Sequence, residues 1–234
     1  MSNKRIMSTY KSASEAHRMS EELRENDKHV EALQLIEIAI VDYQKEGNYV
    51  GLTKALQSRI LIYKHLFFLS NDEVYAILAI QDAESSLRIA EKHNLHDVLS
   101  SCYFRLGEAE NLFKNYANAV DNFKKALEKY SGSNAEKGDY KYHLGEALYR
   151  TGNVAEGKEV MLQGLEEIQN NRNEVDSFLI NVWESGCYIK LAELLKNDEP
   201  DKAKEYLNKA EKISESDNKL VIRRRQIQDL AKSF

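Results

Sequence analysis

Residues 100–130 read SSCYFRLGEAENLFKNYANAVDNFKKALEKY, and the spacing inside this stretch decides the fold. Ala119, Phe123 and Ala126 set a small residue, a bulky apolar one four positions on, and a second small one three further. Steps of four and seven residues stay on one face of an α-helix. The small residues let a neighbouring helix come close, and the large one fills the gap that remains. The same spacing returns in Ala32-Ile36-Ala39, Ala83-Leu87-Ala90, Gly157-Met161-Gly164 and Ala203-Leu207-Ala210. A pattern that recurs every 36 to 51 residues marks an array of helix pairs.

Breakers and caps place the helices around these triplets. One proline and ten glycines in 234 residues suit a nearly all-helical chain. Periodicity predicts helices over about Ser14–Asn26, Lys28–Glu46, Tyr49–Leu69, Asp72–Lys92, His96–Phe113, Tyr116–Tyr130, Ala135–Arg150, Val154–Asn170, Glu174–Leu195, Pro200–Ser214 and Asn218–Lys232. Gly47-Asn48, Ser70-Asn71-Asp72, Ser131-Gly132 and Thr151-Gly152-Asn153 supply turns, and Pro200 sits where a helix begins. No stretch reads as a linker. The expectation is a single all-α domain over 1–234, with repeats at about 13–47, 49–93, 96–131, 135–171 and 174–216 and a capping helix at 218–234. In that last helix Leu220, Ile227, Leu230, Ala231 and Phe234 fall on or near one face, which suits a lid over the open end of the array.

A formal net charge of −5 argues against a general nucleic-acid face, which needs basic surface. Cys102 and Cys187 lie inside helical patterns and read as reduced core thiols. The opening stretch MSNKRIMSTYKSASEAHRM has no apolar run of leader length, and no segment reaches the roughly 18 apolar residues of a membrane span. A cytoplasmic location without membrane attachment is the expectation. There is no Gly-rich phosphate loop, zinc-ligand spacing or hydrolase nucleophile motif, so no cofactor, metal site or catalytic residue is assigned. His93, His96 and Asp97 stand at a helix junction and read as caps rather than ligands. Cys102, beside Tyr103 in a packing stripe, is read as core and not as a nucleophile paired with His143 or His96. Arg223-Arg224-Arg225 fans around a helix and reads as a solvated face.

The stretch from Ser100 to Tyr130 resembles a tetratricopeptide repeat. Tyr103, Leu106, Gly107, Tyr116, Ala119, Phe123 and Ala126 stand where the family places its aromatic, Leu-Gly, aromatic and small-aromatic-small signature; Glu110 replaces one further aromatic. Leu144, Gly145, Leu148, Val154, Gly157, Met161 and Gly164 repeat the match, and Lys141 replaces its first aromatic. Met19, Ser20, Leu23, Ala32, Ile36 and Ala39 repeat it again, as do Tyr188, Leu191, Ala192, Leu195, Ala203, Leu207 and Ala210. The repeat with Ala83 matches only in its second helix. The resemblance implies a right-handed superhelical solenoid with a concave groove, lined by the first helices, that binds protein or peptide segments. The long helices are similar to those of bacterial peptide-pheromone receptors, without their N-terminal effector domain. That second likeness implies, as an alternative, a ligand-sensing regulator acting through a partner.

Counting from the small residue of each first helix, Arg18, Arg105, His143 and Lys190 stand two positions before it. Glu21, Glu108, Glu146 and Glu193 stand one position after it. Each basic residue is three from its acid, so neighbouring pairs on exposed helix surface are expected, worth a few tenths of a kcal/mol each. In the implied groove they form a basic row beside an acidic row, with Phe104 and Tyr142 adding flat contacts. The acids stand where the family's chaperone-tail adaptors hold a carboxylate clamp, which argues against that ligand.

Overall fold

The computed structural model describes residues 10–234. Residues 1–9, part of the stretch read above for a leader, lie outside the described residues. Among the described residues there are eleven α-helices and no strand. They are α1 (Ala13–Glu25), α2 (His29–Glu46), α3 (Tyr49–Ser70), α4 (Val74–Lys92), α5 (His96–Leu112), α6 (Tyr116–Lys129), α7 (Asn134–Arg150), α8 (Val154–Asn170), α9 (Ser177–Leu195), α10 (Pro200–Ser216) and α11 (Val221–Ala231). The chain divides into two compact units between Lys114 and Asn115, so α1–α5 form one and α6–α11 the other.

The caps explain the boundaries. Ser12 accepts from Glu15 N at 3.2 Å and starts α1. Gly47, at φ 65°, ends α2 in the left-handed conformation that costs glycine least. The first turn of α4 starts at Val74, whose N–H is taken by Asp72 Oδ1 at 3.0 Å. The helix predicted from Glu174 begins instead at Ser177, because Asp176 accepts from Phe178 N at 2.8 Å. Glu174 serves another helix: its carboxylate accepts from Asn134 N and Nδ2, at 2.5 and 3.0 Å, at the start of α7.

In the first unit, Ala32, Ile36 and Ala39 of α2 pack with Ala13 and Ala16 of α1 and with Leu52, Ala55 and Leu56 of α3. A second cluster joins Ile60 and Tyr63 of α3 to Ala79 and Ala83 of α4 and to Ala109 of α5. Leu23 and Leu106 of the repeat signature and Leu87 of its triplet are half-buried at the edges of such clusters. Full burial of a Leu- or Ile-sized side chain contributes about 1.5–3 kcal/mol, so these clusters hold each helix to its neighbours.

In the second unit, α7 and α8 approach most closely through glycines. A Cβ added to Gly145 would lie 2.6 Å from Gly157 O and from Met161 Cγ, and one added to Gly138 would lie 2.5 Å from Gly164 O. Met161 fills the space beside them and is fully buried. Met161, Leu165 and Ile168 then meet Ile180, Cys187 and Leu191 of α9 and Ala203, Leu207 and Ala210 of α10. Leu220, just before α11, and Ile227 on it are buried, and Leu230 packs against the cluster; Ala231 and Phe234 are exposed, contrary to the expectation for that face.

The first helix of the second repeat, unregistered in the sequence, takes its register from its contacts. Ser58 Oγ donates to Glu21 Oε1 at 3.0 Å. Lys190, two residues before Ala192, reaches Glu146 in the same manner at 3.3 Å. Ser58 stands two residues before Ile60, so Ile60 occupies the place of the small residue and packs on Ala79 and Ala83.

Candidate partner-binding face

The first helices of the repeats carry the charged rows, and neighbouring first helices use them to hold one another. Glu21 of α1 accepts from Ser58 of α3, whose Oγ is also 2.8 Å from His17 Nε2. Lys64 of α3 donates to Glu108 of α5 at 2.6 Å, and Arg105 pairs with the other oxygen of Glu108. In the second unit, Glu146 of α7 is bonded by Arg150 Nε at 3.0 Å and approached by Lys190 Nζ of α9 at 3.3 Å. Glu193 of α9 accepts from Arg150 Nη2 at 2.8 Å and from Lys190 Nζ at 3.0 Å. Two acids and two bases thus close a ring across α7 and α9.

Several sequence expectations are corrected here. Glu108 and Glu146 are not on exposed surface: they are 5% and 2% exposed, because a cation from the next first helix covers each carboxylate. Arg18 pairs with Glu22, one turn along, rather than with Glu21. Phe104 and Tyr142 are buried, so neither offers a flat surface to a partner. Phe104 lies under the Arg105 guanidinium, 5.3 Å from ring centre to carbon, and Tyr142 stacks on His143 at 4.1 Å. His143 is half-buried, its ring nitrogens 3.9 and 4.0 Å from Asp139 and Glu146. The half-exposed members of the rows are Arg105, His143, Lys190 and Glu193.

Electrostatics follow from the ring. Burial alone would raise the Glu146 carboxyl, but Lys190 and Arg150 outweigh it and hold the group below its ordinary value. Burial likewise opposes ionisation of Glu193, and the same two cations bring it down to about 2. Lys190 is pushed up despite burial, by Glu146 and Glu193. All four groups stay charged at neutral pH and their charges cancel.

The arginine run is not a solvated face. Arg223 Nε and Nη2 donate to Val182 O of α9 at 3.2 and 2.9 Å, and Arg224 donates to Ser214 O, Asp217 O and Asn218 O at 2.7 to 3.0 Å. A Cβ on Gly186 would come within 2.8 Å of Arg223 Nη2, so the glycine leaves the guanidinium its seat on α9. Arg224 depends on carbonyls at the end of α10 and Arg223 on a carbonyl within α9, partners that charge spacing does not reveal.

His93 caps α4 and stacks on Tyr49, with ring centres 3.6 Å apart. Among the described residues, no group of three or more His, Cys, Asp or Glu could hold a metal ion. Both cysteines are buried, and burial pushes the Cys102 and Cys187 thiols up, away from the thiolate a nucleophile needs. No helix of the described residues is long and apolar enough to cross a membrane.

The helix pairs and their small-large-small packing are those of tetratricopeptide-like repeat arrays. Residues 101–133 match the family model described as a tetratricopeptide repeat. No curated protein matches the chain. Among solved structures, the chain is similar to a putative kinesin light chain with nearly identical TPR-like repeats from Podosopora anserina, at 15% identity and a TM-score of 0.56, covering 87% of this chain and 95% of that one. It is also similar to BtubC (BKLC) from P. vanneervenii, at 19% identity and a TM-score of 0.52, covering 92% of each chain. The likeness shows a shared fold.

Proposed function

We propose that this chain is a non-enzymatic protein–protein interaction module that takes an extended partner segment along the first-helix face of its second unit, on α7 and α9. The observation that carries the reading is the recurrence of half-exposed polar side chains at one register of α7 and α9, His143, Lys190 and Glu193; Arg105 holds the same register on a first helix of the other unit. Each is braced from beneath by a buried acid or a neighbouring cation, so donors and acceptors are held in place before a partner arrives. The ring on α7 and α9 is balanced in charge. It therefore suits the neutral N–H and C=O groups of an extended backbone better than a lone carboxylate or phosphate.

Site-specific photocrosslinking tests this. A benzophenone side chain at position 190 or 193 should capture a peptide of the same partner from native lysate. The same probe at the exposed second-helix positions Lys124 or Lys202 should not. Capture from 124 or 202 alone would move the binding surface to the second helices and end the reading.

A further inference from the structure

The hairpin α3–α4 departs in length from the others. From Ser20 to Ala32, Gly107 to Ala119 and Gly145 to Gly157 the chain takes 12 residues across the turn, whereas from Ile60 to Ala83 it takes 23. The eleven extra residues lie about the turn at 71–73, so each helix runs more than one further turn past the crossing, about 8 Å at 1.5 Å per residue. The other first helices of the same unit are shorter, 13 residues in α1 and 17 in α5 against 22 in α3. They do not cover the extension. Phe68 is 49% exposed, Leu69 52%, and Val74 and Ile77 44% each.

Hairpin tips are ordinarily polar, because their backbone and side chains face water. The neighbouring tip Asn26-Asp27-Lys28 follows that rule. Four large apolar side chains left in water within ten residues mark a surface that something covers. The charge around them says what. Asp72 and Glu73 are the only charged side chains between positions 65 and 80, and both are exposed. The nearest cation before them in the chain, Lys64, is committed to Glu108. An anionic lipid surface would be repelled by that pair of acids. A second copy of the chain would bring the acids against their own kind.

We propose that the α3–α4 tip is a docking knob for an amphipathic segment of a partner protein, one that presents apolar side chains flanked by Lys or Arg. The site is separate from the first-helix face and stands or falls independently of it.

The probe is a fluorescein-labelled amphipathic 14-residue peptide of Leu and Lys, titrated by anisotropy against the full chain, with a Leu and Glu counterpart as control. The Leu-Lys peptide should bind saturably and the Leu-Glu peptide should not. Phe68→Ser with Leu69→Ser should weaken binding about tenfold or more, as loss of a buried apolar anchor does. Asp72→Lys with Glu73→Lys should weaken it similarly. Circular dichroism melts of the serine variant should match the parent, since Phe68 and Leu69 are exposed; the lysine variant also gives up the Asp72 cap on the Val74 N–H, so it should melt slightly lower while keeping the parent's helical spectrum. Equal binding by the serine variant, no binding at all, or loss on Glu193→Lys in their place would overturn the proposal. So would a parent dimer that the serine variant turns to monomer in sedimentation, or flotation with phosphatidylserine vesicles that the serine variant abolishes.

Discussion

Lys190 Nζ of α9 lies 3.3 Å from Glu146 Oε1 of α7, forty-four residues away in sequence. That contact, with Arg150 on the other side of the carboxylate, makes Glu146 a buried tie between first helices of successive repeats. The same logic joins Lys64 to Glu108 in the first unit.

Removing one side of the tie is expected to be costly. Glu146→Ala leaves Lys190 and Arg150 with Glu193 as their one shared acid, so the ring carries an uncompensated positive charge at its buried end. Breaking a buried pair in this way costs about 3 kcal/mol or more. Urea titration of the variant should show a lowered midpoint of that order. Replacing both partners, Glu146→Leu with Lys190→Met, should recover most of the loss, because the second charge is no longer stranded. A midpoint unmoved by Glu146→Ala would mean that solvent already screens the ring.

Acid should weaken the second unit within a definite window. Glu193 is held at about 2 in the folded chain, while an unfolded glutamate titrates near its ordinary value of about 4.3. A carboxylate depressed in this sense adds stability above its unfolded value and loses it as pH falls through the folded one. The loss therefore runs from about pH 5 down to pH 2, with Glu146 acting in the same direction. Glu193 is a third exposed, so its own share is about 1 kcal/mol after screening by solvent. Melting temperatures followed from pH 7 to 2 should fall over that window, and Glu193→Gln should flatten part of the slope.

The α7–α8 crossing leaves no room for side chains at its glycines. In Gly145→Leu the new Cβ would meet Gly157 O and Met161 N, both backbone atoms, at 2.6 Å. Overpacking against a backbone that cannot yield costs several kcal/mol, about 2–4 here. Gly152 is the contrast: no atom lies within 4 Å of an added Cβ there, and its cost is only that of a φ of 95°. Thermal unfolding should rank Gly145→Leu well below Gly152→Ala. The reverse order would mean that the two helices can slide apart without penalty.

How far the sequence could be read depends on whether a signal is local. Helix ends were legible because breakers are local: Gly47-Asn48 makes the turn before α3 and Pro200 opens α10, as the sequence indicates. The small-large-small triplets were legible because their partner helix is next in the chain. The register of α3 was not, since Ile60 fills the place of a small residue and Ala79 shrinks in return, a swap visible only once the helices face each other. The charged rows were legible as positions but not as an environment. Burial of Glu108 and Glu146 is decided by Lys64 and Lys190, each 44 residues away on the neighbouring first helix. Spacing along one helix carries no trace of that.

The C-terminal helix gives the last test. Arg224 closes three carbonyls at the end of α10, with donor distances of 2.7 Å to Ser214 O, 3.0 Å to Asp217 O and 2.8 Å to Asn218 O. Arg223 seats α11 on α9 through Val182 O. Arg224→Ala strands those carbonyls at a helix end, and hydrogen bonds to a charged donor contribute about 1.5–3 kcal/mol. Part of that is returned by water, because Asn218 is near the surface, so the net loss should sit at the lower end. The loss should also be local. Hydrogen exchange should quicken at the last turn of α10 and throughout α11, while the amides of α7 and α8 keep their protection, since the Gly145–Gly157 crossing does not touch this corner. Uniform loss of protection through α7 and α8 would instead show that α11 caps the whole second unit, and that its docking is coupled to every helix pair beneath it.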